Sequence, residues 1–327
     1  NECKPENLFD EATSKSDIAK YNESPAVKFN TIEPALKFCK ENGMKMRGHT
    51  LIWHNQTPNW VFYNDYDESK GLAGRDLMLK RMESYIRQVL EYTEKNYPGI
   101  INTWDVVNEA INDNDAGDLR DTKWKETIGN DYIEKAYEFA RKYAGKNVKL
   151  YYNDYNEYVP NKQNGIIKTL KPVLEAGNID GIGMQSHLMA SWPSIEDYMS
   201  AVKKYAEAGF DIQVTELDIE KSNAEDWEET QKNCYYELMK NLIAAKEDGV
   251  NIESVTFWGI SDEYSWKSHT LPLLFNKDLS KKGAFEGVVA AAQEANKAKD
   301  KVTPETKAAL ETAVAAASKY KEADYTA

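Results

Sequence analysis

The chain has 327 residues and a formal net charge of −13, with 41% hydrophobic and 29% charged residues. This composition is typical of a globular protein, and the length is sufficient for one barrel-sized domain. An acidic surface repels phosphate backbones and anionic headgroups, so we expect neither nucleic-acid nor membrane partners. No apolar run in the sequence approaches the roughly 20 residues that a membrane-spanning helix requires.

Short apolar segments alternate with amphipathic segments along the chain. Six segments predict strands: Met46–Ile52, Ile101–Val107, Val148–Tyr152, Gly181–Gln185, Asp211–Thr215 and Ser254–Trp258. Four intervening segments with apolar residues at i, i+3, i+4 spacing predict helices: Leu77–Lys95, Asp131–Tyr143, Ile195–Ala208 and Asp226–Asp248. This alternation predicts a parallel sheet. Because no Gly-rich phosphate turn follows an early strand, it favours a (β/α)8 TIM barrel over a doubly wound sheet.

Such a barrel requires eight strands, and only six are predicted. Asn1–Lys4 has the character of the end of one more strand, so we expect the first strand and helix of the barrel to be missing from this chain. The catalytic barrel is predicted to span residues 1–300. Residues 301–327 are Ala-rich and begin with a helix start at Thr303-Pro304, which predicts a helical tail or the start of another module.

The cysteines and histidines give little support for a metal site. Cys3, Cys39 and Cys234 are too few and too scattered for a disulfide framework or a zinc site, and three reduced thiols are the simpler interpretation. His49 and His54 are five residues apart at a strand end, without a matching carboxylate cluster. We therefore expect no metal and no cofactor.

Polar residues follow several of the predicted strands. Glu109 comes after the second strand and Glu216 after the fifth. Catalytic groups of such barrels lie at the carboxyl ends of the strands, so we expect these two carboxyls to face each other across the barrel mouth. A pair about 5–5.5 Å apart suits cleavage of a glycosidic bond with retention of configuration. For either residue alone, a solvated loop acid is the competing interpretation.

Aromatic and histidine side chains occur near the same strand ends. They include His49, Trp53, His187, Trp258 and Trp266. Indole rings at these positions serve equally well as core residues or as platforms on which sugar rings stack, and the sequence pattern leaves both interpretations open.

At these residues the chain resembles glycoside hydrolase family 10, the β-1,4-xylanases, over about residues 1–298. The matching motifs are RGHTLIWH (Arg47–His54), WDVVNE (Trp104–Glu109), YNDYN (Tyr152–Asn156), GMQSH (Gly183–His187), TELD (Thr215–Asp218) and TFWG (Thr256–Gly259) with Ser265-Trp266. The resemblance implies endo-acting, retaining hydrolysis of xylan or xylo-oligosaccharides without a cofactor. It also implies a monomer that is secreted or held at the cell surface.

The resemblance assigns roles residue by residue. Glu109 matches the family's acid/base and Glu216 its nucleophile, while Asn108 matches the residue that binds the sugar 2-hydroxyl. His187 matches the residue that orients the nucleophile, and Tyr155 matches the ring on the leaving-group side. The other matched sugar-binding positions are Asn1, Lys4, His49, Trp53, Gln56, Gln185, Trp258 and Trp266. The position after Trp266, often Arg in the family, is Lys267 here.

Two alternatives to a xylanase stay open at this stage. One is an enzyme that acts mainly on β-1,4-glucan or on mixed polymers. A tight cover formed by Gln56, Trp258 and Trp266 would disfavour it, because glucose carries an exocyclic hydroxymethyl group that xylose lacks. The other is a non-catalytic carbohydrate-binding protein on a barrel scaffold, for which an intact pair of Glu residues would be unnecessary.

Overall fold

The computed structural model describes residues 3–114 and 116–298. The chain divides into two compact units. The first comprises Asn1–Gly183 with Ala208–Phe210, and the second comprises Met184–Glu207 with the residues from Asp211 onward. The predicted helical tail, residues 301–327, lies outside the described residues.

Four short helices open the first unit. They are α1 (Pro5–Leu8), α2 (Glu11–Ser16), α3 (Ile18–Tyr21) and α4 (Glu33–Glu41). Cys3 and Lys4, which we predicted to end a strand, instead lead into α1. The reason is Pro5, whose fixed φ suits the first position of a helix and whose missing N–H is not needed there.

Three parallel strands lie wholly within the first unit. They are β1 (Met46–Trp53), β2 (Ile101–Asn108) and β3 (Lys149–Asp154). The connecting helices are α5 (Arg75–Asn96), α6 (Lys123–Ile128), α7 (Tyr132–Tyr143) and α8 (Pro160–Glu175). Residues on both faces of β2 are buried, as expected for a parallel strand covered by helices. The register places Trp53 beside Asn108 and Asn108 beside Asn153, so three polar or amphipathic side chains meet at one edge.

β4 (Gly181–Met184) follows α8, and the division between the units falls within it. The second unit contains β5 (His187–Met189), β6 (Asp211–Glu220) and β7 (Ile252–Phe257), with β6 parallel to both β5 and β7. Its helices are α9 (Ile195–Glu207), α10 (Trp227–Glu247) and α11 (Gly283–Ala298). Helices α10 and α11 approach closely at Gly287, where a Cβ would lie 2.4 Å from the Lys232 carbonyl oxygen.

All six predicted strands and all four predicted helices are present, but two further details of the prediction were wrong. β5 was not predicted, because three residues that include a histidine carry no recognisable strand pattern. β6 continues five residues beyond the predicted end at Thr215, so Glu216 lies inside a strand and not after it. Its acidic residues alternate with Leu217 and Ile219, which is the period of a strand with one polar face.

Two further findings concern the whole of the described chain. The three cysteines form no disulfide in residues 3–114 and 116–298. Over the same residues, no helix has both the length and the apolar character needed to cross a membrane.

Candidate active site

Glu109 directly follows the last residue of β2 and adopts a left-handed backbone conformation with φ of 55°. This conformation costs of order 1 kcal/mol or more for a residue other than glycine, so its surroundings must hold it. The Glu109 N–H donates to the carbonyl of Asn153 at 2.9 Å. Nε of Arg120 donates to the Glu109 carbonyl at 3.1 Å. Both backbone polar groups of this strained residue are therefore fixed.

The Glu109 carboxyl is also held on both oxygens. Nε1 of Trp53 donates to Oε2 at 2.9 Å, and Nδ2 of Asn108 donates to Oε1 at 3.1 Å. Nδ2 of Asn153 donates to Oδ1 of Asn108 at 2.9 Å, which sets the orientation of that amide. Because Glu109 is only partly buried, its carboxyl combines a fixed position with access to solvent. A proton donor and acceptor needs both properties.

A buried carboxylate organises the neighbouring end of β1. Asp105 accepts two hydrogen bonds from Arg47, at 2.6 and 3.1 Å, and lies 3.0 Å from Nδ1 of His49. Burial alone would raise the pKa of Asp105, but the charges and hydrogen bonds of Arg47 and His49 outweigh it and lower that pKa. The His49 ring lies 6.1 Å from the Trp53 ring, and Nζ of Lys4 lies 5.6 Å from the centroid of the Trp53 ring. Lys4, His49 and Trp53 thus lie together, as the sugar-binding prediction requires.

The other predicted residues of the first unit lie in different surroundings. The Tyr155 hydroxyl donates to Asp113 at 2.5 Å and accepts from Nη2 of Arg120 at 3.1 Å. Gln56 has a φ of 50°, and its buried Oε1 lacks a hydrogen-bond partner within the described part of the chain. Asn1 lies outside the described residues.

In the second unit, Glu216 lies within β6 and is only 5% exposed. Its N–H donates to the carbonyl of Gln185 at 3.1 Å. His187 bridges two carboxylates, with Nε2 3.3 Å from Oε2 of Glu216 and Nδ1 3.0 Å from Oδ2 of Asp218. Residues two apart in a strand share a face, which is why one imidazole contacts both. His187 therefore makes the contact that an orienting role for Glu216 requires.

Trp266 is 62% exposed, yet its ring is fixed. Nε1 donates to Oδ2 of Asp218 at 2.9 Å, and the ring centroid lies 5.0 Å from that of His187. Nζ of Lys267 lies 4.7 Å from the Trp266 ring and donates to Glu220 at 2.5 Å. An exposed, anchored indole suits sugar stacking better than core packing.

Trp258 is partly buried, and its backbone N–H donates to the Leu217 carbonyl at 3.0 Å.

The pKa of His187 predicts a pH-dependent contribution to stability. Burial alone would lower this pKa, but the contacts with Asp218 and Glu216 outweigh it and raise the pKa to about 9. Since the folded value exceeds the unfolded value of about 6.5, protonated His187 stabilises the fold fully below pH 6.5 and loses this effect as the pH rises through 9. In urea denaturation, the free-energy loss caused by His187→Asn should be up to about 3 kcal/mol larger near pH 6 than near pH 9.5.

The matched control is His269→Asn, which changes an exposed histidine of the same unit. Its effect on the free energy of unfolding should be small at both pH values. A loss for His187→Asn that does not change with pH would show that the imidazole is not held as a cation between the two carboxylates.

Asp105, Asp218 and Arg120 were not predicted from the sequence as site residues. A usable signal existed for Asp218, since a residue two positions after Glu216 in a strand must share its face. Asp105 carried a weaker signal, as a lone charge inside an apolar strand. Arg120 lies in a loop 11 residues after Glu109, and sequence spacing gave no indication of its contact.

Comparison with known proteins identifies the family. Residues 1–291 match the model described as Glycosyl hydrolase family 10. The chain is 44% identical over 302 residues to endo-1,4-beta-xylanase B of Butyrivibrio fibrisolvens, covering 89% of this chain and 47% of that protein. The structure of CBM22-1 and GH10 modules of a Clostridium thermocellum endo-1,4-beta-D-xylanase, complexed with xylohexaose, has a TM-score of 0.82 at 33% identity, covering 89% of this chain and 59% of that chain.

A second solved structure is the intracellular xylanase TsXylA of Thermoanaerobacterium saccharolyticum. It has a TM-score of 0.77 at 37% identity, covering 88% of this chain and 85% of that chain. The present chain spans about half the length of the Butyrivibrio protein, at 47%. The family match and the structural likeness confirm the predicted fold class, a (β/α)8 TIM barrel. Because the match covers residues 1–291 of 327, the chain belongs to glycosyl hydrolase family 10.

Proposed function

We propose that this chain is an endo-acting, retaining xylanase that hydrolyses β-1,4-xylosidic bonds in xylan by double displacement. Membership of glycosyl hydrolase family 10 supports the reaction class, and relatives named endo-1,4-beta-xylanases support the substrate. The observation that carries the proposal is the contrast between two carboxyls. Glu109 is partly exposed and accepts hydrogen bonds from Trp53 and Asn108, whereas Glu216 is buried against an imidazole whose pKa is raised.

These surroundings suit two different roles. A protonated His187 beside Glu216 favours the ionised carboxylate, which is the form that attacks an anomeric carbon. Trp53 and Asn108 hold the two oxygens of the partly exposed Glu109 in place, which suits a group that exchanges a proton with substrate and water. In the first step, Glu109 donates a proton to the departing oxygen while Glu216 forms a glycosyl ester. In the second step, Glu109 accepts a proton from the water that hydrolyses this ester.

The substrate-binding contacts follow from the same side chains. Nδ2 of Asn108 donates to Glu109 in this structure. When a bound sugar replaces that hydrogen bond, the same amide can bind the sugar 2-hydroxyl. This contact strengthens as positive charge develops at the sugar ring. The exposed ring of Trp266 offers a stacking surface, and Asp218 prevents it from rotating. These features support binding of a neutral polysaccharide.

Xylohexaose and cellohexaose distinguish a xylanase from a glucanase. We expect kcat/KM to be at least about tenfold higher for xylohexaose, because each glucose adds a hydroxymethyl group that a site shaped for xylose must exclude. Release of reducing ends from both oligosaccharides measures this ratio. Equal or faster cleavage of cellohexaose would replace the proposal with a β-1,4-glucanase. Binding of xylohexaose without cleavage would replace it with a carbohydrate-binding protein.

A further inference from the structure

Lys162, near the start of α8, is a buried cation between two carboxylates. Its side chain is 1% exposed, and Nζ lies 2.9 Å from Oδ1 of Asp154 and 2.8 Å from Oδ1 of Asp113. Burial alone would lower the pKa of Lys162, but these two carboxylates outweigh it and raise the pKa. The ammonium therefore stays charged at neutral pH. Burying a charge in this way is costly unless each contact is well made.

Asp154 connects Lys162 to the backbone that follows Glu109. Oδ2 of Asp154 accepts a hydrogen bond of 2.5 Å from the hydroxyl of Tyr152. The same hydroxyl accepts the N–H groups of Ala110 and Ile111, at 2.9 and 3.1 Å. Tyr152 therefore uses its one donor and both acceptor positions. Since those two amides follow Glu109 immediately, this chain of bonds fixes the strained turn that places the Glu109 carboxyl.

The pKa of Asp154 also depends on the charge of Glu109. Burial raises the pKa of Asp154 to about 6, Lys162 and Tyr152 oppose the rise, and the negative charge of Glu109 adds to it. Asp154 is therefore linked to Glu109 by charge, and to the backbone after Glu109 by the Tyr152 hydroxyl that holds the amides of Ala110 and Ile111.

On its other side, Lys162 contacts the aromatic ring assigned to the leaving-group sugar. Nζ lies 3.7 Å from the centroid of the Tyr155 ring. Asp113, the second partner of Lys162, accepts the Tyr155 hydroxyl at 2.5 Å. Arg120 completes this side, since it donates to Tyr155 at 3.1 Å and to the Glu109 carbonyl at 3.1 Å.

A close backbone contact fixes α8 against the loop after Glu109. A Cβ on Gly165 of α8 would lie 2.1 Å from the carbonyl oxygen of Gly117, and a Cβ on Gly117 would lie 2.4 Å from the carbonyl oxygen of Asn161. The start of α8 and this loop therefore have no room for side chains between them. Lys162 is built into a rigid contact and is not a mobile surface lysine.

We propose that Lys162 is a positioning residue. It links the acid/base Glu109 to the ring of Tyr155, which packs against the sugar on the leaving-group side. The proposal rests on the xylanase function proposed above, and in particular on Glu109 as the proton donor. The proposal predicts a defect in one chemical step, the transfer of a proton to the leaving group. Loss of Lys162 should impair proton donation to the leaving group more than it impairs binding of the xylose units on the other side of the cleaved bond.

Two substrates with different leaving groups measure this effect. A xylo-oligosaccharide departing from xylohexaose requires a proton from Glu109, whereas dinitrophenolate departing from an aryl β-xylobioside does not. Lys162→Met should lower kcat/KM for xylohexaose by about 10- to 100-fold, the scale expected when a catalytic group is misplaced by about 1 Å. On the dinitrophenyl xylobioside, kcat/KM should fall no more than about threefold. Tyr152→Phe, which removes only the linking hydroxyl, should show the same selectivity.

The matched control is Lys282→Met in the second unit. Lys282 is another lysine paired with an aspartate, with a side chain that is 8% exposed and Nζ 2.8 Å from Oδ2 of Asp262. It also donates to the Leu271 carbonyl at 2.7 Å, so both of these contacts lie within the second unit. It should lose comparable stability in urea and show equal kcat/KM losses on the two substrates. Selective loss in Lys162→Met and Tyr152→Phe alone supports the proposal.

Three outcomes would count against it. Equal losses on the two substrates in Lys162→Met would overturn the proposal, and so would selectivity of the same size in Lys282→Met. If Lys162→Met does not fold, Tyr152→Phe decides by the same ratio. A wild-type chain that cleaves neither substrate would overturn the proposed xylanase function first, and the positioning role with it.

Discussion

Replacement of Glu216 by Gln is expected to lower kcat on xylan by at least about 10⁴-fold, because a neutral amide cannot form the glycosyl ester. The change keeps the shape of the side chain, and its hydrogen-bonding atoms still lie near His187. Most of the loss should therefore reflect chemistry and not folding. Release of reducing ends from soluble xylan, with the free energy of unfolding measured in parallel, tests this.

Glu237→Gln is the matched control for this variant, since it changes an exposed carboxylate on α10. It should leave kcat on xylan within about twofold of wild type. The Glu216→Gln variant should also show a lower pKa at His187, because one of the two carboxylates that raise it is gone. If Glu216→Gln retained a tenth of wild-type activity, Glu216 would not be the nucleophile.

Replacement of Glu109 by Ala should give a different pattern, because this residue is proposed to act in both steps. On xylan, kcat/KM should fall by roughly 10²- to 10⁴-fold through loss of general acid catalysis. On an aryl xylobioside with a good leaving group, kcat/KM should fall far less. The glycosyl ester should then accumulate, because no base activates water in the second step.

Azide provides a sharp test of this second role. A small anionic nucleophile needs no general base, so azide should restore turnover of the aryl substrate and give a xylobiosyl azide of β configuration. Glu134→Ala, which removes an exposed carboxylate on α7, should show neither the defect nor the azide effect. Equal losses on xylan and on the aryl substrate, with no response to azide, would contradict the acid/base assignment.

Most of the secondary structure could be predicted because it depends on local periodicity. The four predicted helices place an apolar stripe against the sheet, and the six predicted strands are short apolar runs between them. β5 escaped prediction because a strand of three residues that begins with His187 has no recognisable apolar pattern. The end of β6 escaped because acidic residues are rare in buried strands, and here Glu216 and Asp218 form one polar face that contacts His187.

Within the candidate site, the residues proposed to act on the substrate were easier to predict from the sequence than the residues that hold them in place. Glu109 and Glu216 were recognisable from their motifs at the predicted strand ends. Tyr152, Asp154 and Lys162 were not selected, because their importance arises from contacts between a strand end, a loop and a helix. Sequence spacing does not encode such contacts. The left-handed conformation of Glu109 was equally invisible, since only tertiary hydrogen bonds hold it.

Trapping of the covalent intermediate tests the division of labour between the two carboxyls most directly. A 2-deoxy-2-fluoro xylobioside with a dinitrophenyl leaving group should react faster than its ester hydrolyses, because fluorine slows both steps and the leaving group accelerates only the first. Mass mapping of peptides from the inactivated wild-type protein should find one xylobiosyl group, on Glu216. Attachment to Glu109 or to any other residue, or complete turnover to a product of inverted configuration, would contradict the assignment.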